Sequence, residues 1–220
     1  MPSNLRLCGL TLLVAGAANA ADAPNEMRWL AADISPSMIQ QGPHAGTGFL
    51  DLAMADMRKL LPGYKHSTLW GNVKRQEEEM QNGSHTCTVA LLRTPRREAF
   101  ITYSHPYFRI LPIGIITLQS LAPGFNAYRN QDGLVSLKKA ANDSNHPLGI
   151  AFARVYGGNI DKVINSGAAK RLVVRSGGDI SEGLYDMLQQ GRIDYLLGYA
   201  VEESSLFHSH PKQNPPYFCR

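Results

Sequence analysis

From Met27 onward the chain alternates two hydrophobic patterns. Short continuous apolar runs bounded by turn residues read as buried strands, and stretches with apolar residues every three or four positions read as helices. Residues 27–34 are the first strand. A turn-rich segment follows, and then a helix in which Phe49, Leu52, Ala53, Met57, Leu60 and Leu61 share one face until Pro62 and Gly63 end it. Residues 64–70 form a second strand, residues 72–81 a polar helix with Asn72 as its N-cap, and residues 87–92 a third strand. The strand leads into Thr94-Pro95-Arg96-Arg97-Glu98, where Thr94 suits the N-cap and Pro95 the first helical position.

The apolar run at residues 110–118, interrupted by Pro112 and Gly114, has the character of a crossing strand. The alternation then restarts: helix at 134–141, strand at 148–152, helix at 159–165, strand at 171–175. A helix follows with Asp179 and Glu182 spaced as a capping box and Gly191 as its C-terminal stop, and then a strand at 193–198. Beyond Tyr199 the pattern fades into a tail rich in His and Pro. This βα order predicts an α/β protein of two lobes, each a mostly parallel sheet flanked by helices, with a ligand at the carboxyl ends of the strands.

The first twenty residues belong to a different pattern. Arg6, an apolar run and Ala18-Asn19-Ala20 read as a secretory signal cleaved after Ala20, too short to span a membrane. The organisation expected is thus signal peptide at 1–20, first lobe at 21–115, second lobe at 116–199 and a return segment to the first lobe at 200–220, with no membrane insertion after cleavage. Cleavage removes one charge, Arg6, and takes the formal net charge from +4 to +3. The densest basic cluster, Arg93, Arg96 and Arg97, is broken by Pro95 and Glu98, so the chain lacks the basic face that nucleic acid requires. Cys8 leaves with the signal; Cys87 and Cys219 then either bridge in an oxidising compartment or stay two unrelated thiols. No His-Glu-x-x-His, Gly-x-Ser-x-Gly or Gly-x-x-x-x-Gly-Lys-Ser/Thr motif occurs, and neither a metal nor a cofactor is expected.

Thr94-Pro95-Arg96-Arg97-Glu98 followed by Ser104-His105-Pro106-Tyr107, together with Thr47-Gly48-Phe49-Leu50-Asp51, residues 134–137 and Met187-Leu188-Gln189-Gln190-Gly191-Arg192-Ile193-Asp194, resembles the extracellular solute-binding proteins of family 3, the polar amino acid binders of ABC importers. Cys87 marks a less characterised branch. The resemblance implies the type 2 periplasmic-binding-protein fold, shortened at its C-terminus. It also implies a monomer in the periplasm that captures a small solute between its lobes and presents it to a membrane permease.

By the same resemblance Arg97 is the clamp for a ligand carboxylate, beside Leu92 and Thr94. A guanidinium suits that task because it offers two parallel donors and keeps its charge. The alternative is an Arg97 paired with Glu98 or Glu77 on a solvated face. In the second lobe Arg154, Val155 and Tyr156 occupy positions where the family has small hydroxyl residues. Arg154 facing Arg97 favours an anionic solute, unless it is an exposed arginine beside a turn. Tyr199 stands where the family places an aspartate for the ligand ammonium; a phenol cannot neutralise an ammonium, so an ordinary α-amino acid is not the expected ligand. Asp33, at the end of the first strand, completes the ligand-binding candidates. Trp29, Trp70 and Tyr107 are candidates for a stacking wall. Two other functions remain open: a dehydratase-like enzyme on the same scaffold with Glu202 or Asp33 as its acid, and a sensory ligand-binding domain.

Overall fold

The structure, a computed structural model, describes residues 25–83, 85–89, 91–177, 179–209 and 214–219. The expected signal peptide lies outside them. Two sheets organise the described residues. The first holds parallel strands in the order β2-β1-β3, where β1 is Glu26–Ala31, β2 is Lys65–Trp70 and β3 is Thr86–Cys87. Helices α1 (Phe49–Lys59) and α2 (Val73–Asn82) make the crossovers between these strands. Along β1 the alternate side chains Met27 and Trp29 are buried with Met54 of α1.

The second sheet runs β6-β5-β7-β4-β8. Its parallel part is β5 (Leu148–Ala151), β6 (Leu172–Arg175) and β7 (Tyr195–Gly198). Strands β4 (Gly114–Leu118) and β8 (Pro216–Cys219) extend it antiparallel beyond β7. Around it lie a 3-10 segment (Ala122–Tyr128), α4 (Leu137–Asn142), α5 (Gly158–Asn165), α6 (Ile180–Gln189) and α7 (Ala200–Ser209), reached after the short α3 (Pro95–Glu98) of the first lobe. The largest buried cluster joins Ile116, Leu184, Leu188, Ile193 and Leu206 of this lobe to Val73 of α2, so the two lobes share core contacts at that end.

Several local expectations hold. Asn72 caps α2 by accepting from Arg75 N at 2.9 Å, and Gly191 takes φ +67° after α6. Others change. The buried face of α1 is Leu50, Asp51 and Met54, whereas Phe49, Leu52 and Leu60 are exposed. Asp51 sets that rotation, because its carboxylate accepts from Gly48 N and Ile39 N and must point inward to do so. Asp179 does not cap α6; its carboxylate takes the guanidinium of Arg175. The third strand stops at Cys87, and residues 101–113, expected to be strand from 110, form no regular element.

The tail expected to return to the first lobe instead forms α7 and then β8, which pairs with β4 in the second sheet. That placement also overturns the bridge between Cys87 and Cys219. Both are free thiols, Cys87 in the first sheet and Cys219 buried in the second, and burial raises the pKa of each. Among the described residues no helix is long and apolar enough to cross a membrane.

One pair in the second lobe carries a pH signature. Tyr128 donates to Asp143 Oδ2 at 2.6 Å; burial first, then this bond, push the phenol up to about 12, and the bond holds the Asp143 carboxyl below its ordinary value. The raised phenol contributes stability that is whole below its ordinary range and is lost as pH climbs through about 12. The lowered carboxyl contributes stability present above its ordinary value and lost as pH falls through the lowered one. Tyr128→Phe should therefore lower Tm throughout the window between, and alkaline absorbance titration should lose the phenol that ionises at about 12. An unchanged Tm at pH 7 would refute the coupling.

Candidate ligand-binding site

In the first lobe the site is built by α3. Thr94 Oγ1 accepts from Arg97 N at 3.2 Å and Pro95 sits at the first turn, so the chain folds back on itself and carries Arg97 inward. Arg97 is 1% exposed. Its Nε donates to Glu77 Oε1 at 2.8 Å and a terminal nitrogen donates to the Leu92 carbonyl at 2.9 Å. Glu77, buried on α2, also receives Arg96 from the solvent side. Of the two readings for Arg97, the pairing with Glu77 is real, but it is buried rather than solvated.

The second lobe supplies a matching arrangement. Arg154 follows β5 after Ala153, whose φ is +59°. It donates to both carboxylate oxygens of Glu202, at 2.9 and 3.1 Å. Glu202 also accepts from Tyr199 N at 2.7 Å and from Ser181 Oγ at 3.2 Å, which ties Arg154 to the first turns of α7 and α6. The guanidinium lies between two rings, 5.3 Å from the Tyr156 centroid and 5.8 Å from that of Tyr199. Tyr156 is fixed in turn, its hydroxyl accepting from Ala151 N at 2.9 Å. Burial pulls the Arg154 pKa down, but Glu202 and the two phenols raise it further, so its charge is secure. Burial raises both phenols against the pull of Arg154 and keeps them protonated donors.

Arg97, Leu92, Arg154, Tyr199 and Glu202 all line one cavity of about 1060 Å³ between the lobes. A Cβ on Gly157 would sit 3.9 Å from Leu92 Cδ1, so the lobes meet beside this opening. Trp29 and Tyr107 are also in the wall, whereas Trp70 packs with Ala31, Met38 and Leu50. Three expected residues take other places. Thr94 is a helix cap outside the wall, Tyr156 supports Arg154 from beneath, and Asp33 lines a separate small recess beside Ser181 and Glu182. Asp33 accepts from Gln40 N at 3.3 Å.

Ser181 escapes a reading of the sequence, and so does the burial of Glu77, which the sequence offers only as a solvated partner of Arg97. Glu77 left a trace, since Val73, Glu77 and Met80 fall at helical spacing and place a carboxylate in an apolar stripe. Ser181 left none. Among the described residues no three His, Cys, Asp or Glu side chains cluster as a metal site.

Comparison with known proteins is informative at the level of structure. No protein-family model and no curated protein matches the chain. An ancestral arginine-binding protein bound to arginine aligns with a TM-score of 0.63 at 17% identity, covering 90% of this chain and 81% of that one. An ABC uptake transporter substrate-binding protein from Streptococcus pneumoniae with bound histidine aligns with a TM-score of 0.63 at 17% identity, over 89% of this chain and 74% of that one. The VFT2 domain of BvgS from Bordetella pertussis aligns with a TM-score of 0.58 at 15% identity, over 90% and 75%. The chain therefore has the two-lobed α/β fold of periplasmic substrate-binding proteins.

Proposed function

We propose that the protein is a periplasmic solute-binding protein, exported by residues 1–20, that captures a small carboxylate-bearing solute between its lobes as a monomer and delivers it to the permease of an ABC importer. The observation that carries this reading is that Arg97 of one lobe and Arg154 of the other line the same cavity, each held in place by a buried carboxylate. A guanidinium has five N–H donors. Arg97 spends Nε and one terminal nitrogen on Glu77 and Leu92, and Arg154 spends one terminal nitrogen on Glu202, so each keeps donors for a ligand. Because their charges are already balanced, these groups act as oriented donors rather than as a strong positive field.

The dehydratase-like alternative needs a free acid in the cleft. Glu202 is occupied by Arg154, Ser181 and Tyr199, and Asp33 lines another recess, so binding without turnover is the better reading. A sensory role has one observation in its favour, the likeness to the BvgS VFT2 domain, and predicts no uptake defect on deletion.

A thermal-shift screen against amino acids, dicarboxylates and monocarboxylates tests the proposal. A ligand at 100 times its Kd adds about 2.7 kcal/mol to stability. Arg97→Lys and Arg154→Lys keep the charge but lose the planar fork. Each should weaken binding at least tenfold in a folded protein; a ligand indifferent to both changes would refute the assignment.

A further inference from the structure

The cavity is far larger than its polar end requires. Beyond Arg97 and Arg154 it follows the whole edge of the first sheet, its wall including all described residues from His85 to Leu92. On the opposite side it takes in both ends of α1, from Phe49 to Leu60. That helix has eleven residues, so the trough runs for roughly 16 Å at 1.5 Å per residue. Its floor is apolar: Trp29, Met57, Leu61 and Val89 line it together with Met80.

The trough has a roof. Residues 100–108 line it continuously, crossing from the β3 edge to α1. Tyr107 is tied to the sheet by a hydrogen bond from its hydroxyl to the Val89 carbonyl at 3.0 Å, and Phe108 packs against both Tyr107 and Phe49, with centroids 4.8 and 6.0 Å away. The chain that continues from β3 is already engaged at two carbonyls. Tyr107 takes the Val89 carbonyl, while Tyr103 and Arg97 both take that of Leu92. These carbonyls lie beyond the end of β3, and an occupant without backbone groups needs none of them.

We infer that the solute is an amphiphile, with its carboxylate at Arg97 and Arg154 and an extended hydrocarbon tail in the trough between β3, α1 and residues 100–108. This deepens the proposed function and rests on it for the head group. The juxtaposition is chemically coherent. Fixed guanidinium donors and the phenol of Tyr199 stand at the inter-lobe end, and beyond them the walls are aliphatic and aromatic, with Leu60 exposed at the far end. A small polar amino acid would leave most of that apolar surface in water. A hydrocarbon tail removes it from water in proportion to its length.

Calorimetric titration with butyrate, octanoate and dodecanoate, each below its aggregation concentration, tests the inference, with dodecanol and dodecyltrimethylammonium as controls. Affinity should rise by about fourfold per added methylene, the factor expected for a buried CH₂. Dodecanol should bind at least tenfold more weakly than dodecanoate, and the ammonium more weakly still. Leu60→Asp, at an exposed position the fold tolerates, should weaken dodecanoate at least tenfold and leave butyrate unchanged; Arg154→Lys should weaken all three carboxylates alike.

The outcomes separate the two proposals. If a short carboxylate or amino acid binds, depends on Arg97 and Arg154, and shows no gain along the series, the amphiphile is refuted and the solute-binding reading stands. If affinity rises with tail length but dodecanol equals dodecanoate, the head-group assignment falls for both. If no probe binds and a partner protein's segment is found cross-linked in the trough, the ligand is not a lipid-like acid and the inference is overturned.

Discussion

Glu202→Ala should lower the free energy of unfolding by about 3–5 kcal/mol, the cost of breaking a buried ion pair and leaving one charge behind. Glu202 is 1% exposed and receives Arg154 twice, Ser181 and the Tyr199 amide. Without it the Arg154 guanidinium keeps only two aromatic faces, and the first turn of α7 loses an anchor. Replacing both partners, with Arg154→Met and Glu202→Leu, should recover most of the loss, because neither charge then has to be desolvated. Urea unfolding of the two single variants and the double variant measures the coupling. A loss below 1 kcal/mol for Glu202→Ala would mean that water reaches the pair and that it does not fix the second-lobe half of the site.

The first-lobe pair should respond asymmetrically. Glu77→Ala leaves Arg97 buried with only the Leu92 carbonyl, and should cost about 3–5 kcal/mol. Arg97→Ala should cost about 3 kcal/mol, the low end of that range, because Arg96 still reaches the other oxygen of Glu77. Arg96→Ala, at a side chain 63% exposed, should cost under about 1 kcal/mol. Chemical denaturation orders the three. Equal losses for Arg96→Ala and Arg97→Ala would show that burial does not distinguish them, and would remove the reason for treating Arg97 as the preorganised donor of the cleft.

Much of the local structure is readable before folding. Thr94 as a cap and Pro95 behind it place Arg97 one turn further on, and the structure builds that turn. Asn72 ahead of a polar run announces α2 in the same way. What acts on these residues is contained within a few positions of chain, so pattern and propensity suffice. The apolar stripe of α1 is less legible, because Leu50 and Met54 compete with Phe49, Leu52 and Leu60 for the inward face, and the carboxylate of Asp51 decides between them by bonding to Ile39 N twelve residues away.

The order of strands and helices as far as residue 198, the α/β class and the apolar character of residues 87–92 follow from the sequence by itself, since each depends on spacing along the chain, whereas Arg97 and Arg154 enter as candidate cations through the motif resemblance. Tertiary structure decided the rest. Glu77 lies 20 positions before Arg97 and Glu202 lies 48 after Arg154, and only the folded sheets bring these charges within 3 Å. The same distance in sequence hid the destination of Cys219, which pairs beside Ile115 in the second sheet. A guanidinium's chemistry is local, but its partner is selected by which elements pack together, and that packing turned two arginines of mixed prospects into the fixed poles of one cavity.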